Sequence, residues 1–151
     1  MRFLNSIDIS ASGLTAQRLR MDTIANNMAN AETTRTENGE GPYRRQVVVF
    51  EARNPNSKKS FNTVLKDKLA YNPQGVRVKE IRSLEENELP FRKVYDPSHP
   101  DADQQGYVNY PNVNIVEEMI NMIAATRSFE ANAKVIEATK GMAVRALEIG
   151  R

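Results

Sequence analysis

Cysteine and tryptophan are absent from this 151-residue chain, and histidine occurs once, at His99. Without thiols there are no disulfides, no thiolate metal sites and no cysteine nucleophile, while reducing and oxidising compartments both stay open. One histidine cannot supply the ligand sets usual for catalytic zinc. Proline is missing from both ends of the chain: all seven run from Pro42 to Pro111. No stretch approaches the ~18 uninterrupted apolar residues of a spanning helix, because Asn, Arg or Glu breaks every candidate, so the chain is not expected to cross a membrane. Asn5, Ser6 and Asp8 fall where a secretory signal needs a continuous apolar core, and cleaved export is not expected either. A strong charge of one sign is lacking too, since 21 Lys and Arg face 19 Asp and Glu for a formal charge of +2.

What is present is periodicity at the two ends. Leu4, Ile7, Ala11, Leu14, Arg18, Met21, Ala25 and Met28 recur at alternating steps of three and four, a heptad stripe interrupted by one arginine. A longer stripe runs through Ile115, Met119, Met122, Thr126, Phe129, Ala133, Ile136, Lys140, Ala143 and Leu147. The spacing predicts one helix from about Asn5 or Ser6 to between Ala31 and Thr34, with Asp8 in its first turn. A second begins after Asn114, which with Glu117 resembles a capping box just beyond Pro111. Termini are ordinarily the loosest parts of a domain, so a chain most regular at its ends is expected to work by packing those ends against something.

The middle differs. Arg45 to Glu51 is β-branched and reads as a strand, Val76 to Ile81 as a second, and Pro90 to Tyr95 as a third, with turns at Asn54-Pro55-Asn56-Ser57 and Asn72-Pro73-Gln74-Gly75. Phe61, Leu65 and Leu69 fit a short helix or a loop. The fold class expected is therefore α+β: long N- and C-terminal helices packed as an antiparallel coiled coil, residues 1–36 with 112–151, around a small loop-rich β module, residues 37–111.

Chemistry is sparse. His99 lies in Asp96-Pro97-Ser98-His99-Pro100-Asp101, where flanking prolines describe a stiff surface loop more than a pocket. Glu85, Glu86 and Glu88 read as solvated loop acids. Gly39 and Gly41 lack the downstream Gly-Lys-Ser/Thr of a phosphate loop. Arg44, Arg45, Arg53, Lys58, Lys59, Lys66 and Lys68 form a basic run, but Glu51 and Asp67 dilute it and nucleic-acid binding is not expected. No catalytic residue, metal or cofactor is expected. The distinctive polar residues lie on the helices: Asn26, Asn27, Asn30, Asn121 and Asn132 occupy positions where propensity favours Lys or Glu. Their amides can bridge neighbouring helices in fixed register.

Ala25-Asn26-Asn27-Met28-Ala29-Asn30 with Thr33, after Ser12-Gly13-Leu14-Thr15-Ala16-Gln17, resembles the N-terminal signature of bacterial flagellar rod and hook proteins. Val113-Asn114-Ile115-Val116-Glu117-Glu118-Met119, Met122-Ile123 and Arg127-Ser128-Phe129-Glu130-Ala131-Asn132 resemble the C-terminal signature of the same family. Phe129 stands where the family commonly has tyrosine and Met28 where leucine is usual, both apolar exchanges. The short middle, with Gly106-Tyr107-Val108 before Pro111-Asn112-Val113-Asn114, is similar to members of the proximal rod.

The resemblance implies a non-enzymatic structural subunit of the flagellar basal body. Such a subunit passes from the cytoplasm through the flagellar type III export apparatus. In the periplasm it then joins copies of itself and other rod proteins in a helical tube that transmits motor torque, in proximity to peptidoglycan. Assembly-interface residues are expected at Leu4, Ile7, Leu14, Met21, Met28, Met119, Met122, Phe129, Ile136 and Leu147, with Asn26, Asn27, Glu130 and Asn132 fixing register. Phe3-Leu4-Asn5-Ser6-Ile7 is the candidate export motif, with Phe3 and Ile7 its apolar residues. The alternative is a soluble helical-hairpin adaptor that binds one partner and never polymerises.

Overall fold

A computed structural model describes residues 2–36, 41–53, 75–85 and 87–150, without the side chains of residues 2–4. Two helices frame it: α1, Arg2–Ala29, of 28 residues, and α2, Ile115–Ile149, of 35 residues. They pair antiparallel, with Asn27 of α1 meeting Glu118 near the start of α2 and Gly13 meeting Asn132 further along. The expected α+β architecture is the one observed.

Two boundaries differ from the sequence expectation. Helix α1 begins at Arg2, ahead of Asn5 and Ser6, so Asp8 falls outside its first turn, and it ends at Ala29 instead of between Ala31 and Thr34. Asp8 instead lies 3.5 Å from Arg53 across to the strand module, both groups being exposed. At α2 the expectation holds, because Asn114 is the N-cap and its Oδ1 accepts from the N–H groups of Val116 at 3.0 Å and Glu117 at 3.5 Å. Those donors would otherwise lack partners at the open end of the helix.

Between the helices lie two separate antiparallel ribbons. Strand β1, Gln46–Ala52, pairs with β2, Val76–Ser83, and a bulge between Val49 and Phe50 places Val49 opposite Glu80 and Phe50 opposite Val78. Strand β3, Arg92–Tyr95, pairs with β4, Tyr107–Tyr110, a strand the sequence reading does not foresee. In β4 only Val108 is buried, so its four residues carry little alternation. Asp103 signals the turn before it, its Oδ1 accepting from the N–H groups of Gln105 and Tyr107, and Gly106 follows at φ 80°. The turn at Asn54 to Ser57, the segment with Phe61, Leu65 and Leu69, and the turn residues Asn72 to Gln74 lie outside the described residues.

The first ribbon is held against α1 at close quarters. Ser12 donates to the Ile9 carbonyl at 2.6 Å, and its Oγ accepts from the Val76 N–H at 3.1 Å. A Cβ on Gly75 would stand 2.3 Å from that Oγ, so only glycine lets β2 start there. Among the described residues the buried side chains are mostly small or polar, with Ile24, Val108 and Pro111 the larger apolar ones. Ser10, Ala16, Thr23, Ile24, Asn27 and Ala31 belong to α1 and the turn after it; Glu118, Ala125 and Thr139 belong to α2; Val108 is the strand module's contribution.

Candidate assembly interface and its buried register cluster

The inward stripe of α2 runs Glu118, Met122, Ala125, Phe129, Asn132, Ile136 and Thr139, spaced four and three, with every member buried or half-buried. It shares Met122, Phe129 and Ile136 with the stripe read from the sequence. At alternate positions the small or polar residue faces α1 instead. Met119 and Leu147 are 51% and 76% exposed, and Glu130 is exposed as well. On α1, Ile7, Leu14, Met21 and Met28 are half-buried, whereas Ser10, Ala16, Thr23, Ile24 and Asn27 are buried. Phe3 and Leu4 lie in the first turn of α1, with side chains outside those described.

Four contacts set the helix register. Asn27 Nδ2 donates to Glu118 Oε2 at 3.1 Å, Arg20 Nη2 to Asn121 Oδ1 at 3.4 Å, and Thr126 Oγ1 reaches Met21 Sδ at 3.5 Å. The fourth is steric: the space beside Gly13 is filled by the Asn132 amide, which a Cβ would meet at 3.0 Å. Asn132 is itself anchored to the Ser128 carbonyl at 2.9 Å.

Asn27 is the centre of this arrangement and only 1% exposed. A carboxamide has two N–H donors and an oxygen with two acceptor sites, and here all four are used. Nδ2 donates to the Gln46 carbonyl at 2.8 Å and to Glu118; Oδ1 accepts from the Gln46 N–H at 2.9 Å and from the Tyr43 hydroxyl at 2.8 Å. One side chain thus ties the end of α1, the start of β1 and the first turn of α2. Its neighbour Asn26 is exposed and reaches Tyr43 Oη at 3.3 Å and Gln46 Oε1 at 3.5 Å.

Glu118, also 1% exposed, carries charge into this junction. Its Oε1 accepts from Arg45 Nε at 3.0 Å and from Arg45 Nη2. A carboxylate so enclosed is tolerable only when paired and fully hydrogen-bonded, and Arg45 with Asn27 meets that condition. Burial raises the Tyr43 pKa above its ordinary value, and the nearby Glu118 charge raises it further. The phenol therefore keeps the proton it donates to Asn27.

Sequence reasoning singled out Asn27 but missed Glu118, Arg45 and Tyr43. In the sequence Glu118 stands out only as a member of the run Val113 to Met119, and Arg45 only as the start of a strand and part of a basic run. That run is dispersed: Arg45 faces inward to Glu118, the Arg44 guanidinium sits 5.7 Å over the Phe91 ring, and Arg53 faces Asp8, while Lys58, Lys59, Lys66 and Lys68 lie outside the described residues. The available signal was positional, since a glutamate at the head of a four-three stripe of otherwise inward residues is a buried charge seeking a cation.

His99 is tied into its loop, Nδ1 accepting from the Asp101 N–H at 3.1 Å and the ring lying edge-on to Tyr110. Ser98 donates to Asp96 at 2.6 Å, and its hydroxyl and N–H hold that carboxyl below its ordinary pKa. Ser98 is thus engaged by Asp96, and no Ser/His/Asp relay is assembled. Among the described residues no group of three or more His, Cys, Asp or Glu is placed to hold a metal ion, and no described helix is long and apolar enough to cross a membrane.

Residues 7–35 match the family model described as flagella basal body rod protein, and residues 104–149 match that of the flagellar basal body rod FlgEFG protein C-terminal. Both matches name the flagellar basal-body rod, and they fall on the two paired helices and β4. The flagellar basal-body rod protein FlgC of Borreliella burgdorferi is 48% identical over 155 residues, covering 99% of this chain and 98% of that one. Its counterparts in Bacillus subtilis, 41% identical over 154 residues, and Escherichia coli, 37% over 151, are covered completely, as is this chain. The chain belongs to the FlgC family of flagellar basal-body rod proteins. It is a structural subunit of that rod, located in the flagellar basal body and assembling with other rod components.

Proposed function

We propose that the chain is a non-enzymatic subunit of the proximal rod. It is exported from the cytoplasm through the flagellar type III apparatus and assembled in the periplasm, close to peptidoglycan, into a helical tube that transmits motor torque. In this reading residues 1–36 with 112–151 form the inner layer and residues 37–111 an outer module, and the apolar positions of both helices together with Asn26, Asn27, Glu130 and Asn132 make the assembly interface. The observation that carries it is the apolar surface left on α2. Ile115, Val116, Met119, Ile120, Ile123, Val135, Met142, Val144, Leu147 and Ile149 remain exposed along one helix. A face so apolar marks an interaction site, and burying each large side chain contributes roughly 1.5 to 3 kcal/mol. A hairpin adaptor binding one partner needs one patch, whereas this surface spans the helix.

The test is Ile120→Asp. Because Ile120 is 62% exposed, the isolated chain should keep its circular dichroism and thermal midpoint while swimming and recovery of the chain in purified basal bodies are lost. Normal motility with this variant would overturn the reading. The candidate export motif is tested separately, by following secretion of Phe3→Ala/Ile7→Ala.

A further inference from the structure

The ribbon of β3 and β4 stands apart from the rest of the described molecule. The backbones of its two strands approach neither helix and neither strand of the first ribbon. Among the described residues, the only hydrogen bonds from residues 92–110 to earlier parts of the chain go through one side chain. Asp101, in the connection between β3 and β4, accepts from the Thr34 hydroxyl at 2.8 Å and from the Arg35 guanidinium, both in the segment after α1. Beside this latch lies a hollow of about 350 Å³ bordered by Thr34, Gly41, Pro42, Pro100 and Val108, which gives the connection room to move. We infer that His99 makes the latch sensitive to pH, holding Asp101 in place only while the imidazole is neutral. The switch belongs to the single chain and does not depend on the tube it joins.

The position of Asp101 is set from its own backbone, whose N–H donates to His99 Nδ1 at 3.1 Å. That nitrogen accepts through a bare lone pair, whereas in the imidazolium both ring nitrogens carry protons. Protonation therefore sets two N–H groups against each other and removes the bond. The charged and titratable groups around the ring then pull Asp101 away from its partners. Asp96 and Asp101 share the loop with His99, and an imidazolium attracts both carboxylates; a turn of Asp101 toward the ring is a turn away from Thr34 and Arg35. On the other side Tyr110 of β4 meets the ring edge-on at 6.1 Å, and the Arg92 guanidinium of β3 sits 5.6 Å over the Tyr110 ring. Asp96 is not the switch, because the Ser98 hydroxyl and N–H hold its carboxyl below the ordinary carboxylate value. Histidine is the side chain that ordinarily changes charge between about pH 5 and 8.

The test is hydrogen exchange read by mass spectrometry on the full chain from pH 7.5 to pH 5, with each rate divided by the chemical exchange rate at that pH. Protection of residues 99–103 is expected to fall about fivefold on acidification, as for the loss of one ordinary hydrogen bond, while that of α1 and β1 stays constant. Because the chain has one histidine, its ring gives a single nuclear magnetic resonance signal, and the titration midpoint of that signal should coincide with the midpoint of the fall. His99→Ala is expected to show the lower protection at every pH, and Asp96→Asn to keep the fall. Constant protection in the unsubstituted chain, a midpoint that departs from that of the ring, or a fall that persists in His99→Ala would each overturn the inference.

Discussion

Asn27, Glu118, Arg45 and Tyr43 form a closed polar unit in which every polar atom of the Asn27 amide is used, and the effect of each substitution follows from who is left unpaired. Glu118→Ala leaves Arg45 partly buried without its carboxylate and removes an acceptor from Asn27. Breaking a buried pair in this way costs about 3 kcal/mol or more, to be read as a fall in the urea midpoint. Asn27→Asp should be comparably damaging, because it sets a second carboxylate at the distance of a hydrogen bond from Glu118. Tyr43 supplies a pH dependence. Its pKa is raised in the folded chain, so the unfolded chain releases the proton first, and the stabilisation is complete below the ordinary tyrosine value of about 10. It is lost as pH rises through the raised value. Tyr43→Phe is expected to flatten that alkaline limb in thermal midpoints measured from neutral pH to pH 11.

At the scale of elements, the two helices are held by different means at different points. Asn114 closes the start of α2, and Asn114→Ala is expected to lower stability by about 1 kcal/mol in chemical denaturation. Two glycines inside helices give opposite results under the same change. Gly141→Ala meets open space and should stabilise the isolated chain by up to about 1 kcal/mol. Gly13→Ala should destabilise it, since the Asn132 amide stands 3.0 Å from the new methyl and is anchored to Ser128. Thermal melts of the pair test whether Gly13 is a packing residue and Gly141 is not. The element the sequence did not announce, β4, shows why short strands escape pattern reading: four residues with one buried side chain carry no usable alternation, and pairing with β3 defines them.

At the scale of the molecule, most buried residues among those described are small or polar, while the large apolar residues of α2 other than Met122, Phe129 and Ile136 point outward, an arrangement expected of a subunit completed by its neighbours. The isolated chain is therefore expected to self-associate with concentration in sedimentation, and Ile120→Asp/Met142→Asp to hold it monomeric with unchanged helicity. A monomer at all concentrations for the unsubstituted chain would count against the outward face as an assembly surface. The α2 stripe divides between two faces for the same reason. A heptad stripe drawn through the largest apolar residues picked Met119 and Leu147, which face outward, and passed over Glu118, Ala125, Asn132 and Thr139, which face α1. Hydrophobicity marks a surface to be buried without saying in which partner.

The sequence by itself determined that two long helices enclose a strand-bearing middle, because periodicity, proline placement and the Asn114 cap act locally along the chain. It also determined the family resemblance, carried by runs at both ends. Only the tertiary structure decided that Glu118 accepts from both Asn27 and Arg45, since these donors lie 91 and 73 positions away from it along the chain. It also decided which helix face turns inward. That choice depends on how closely two backbones approach, and Gly13, Ala16 and Ala125 allow an approach that Met119 would prevent.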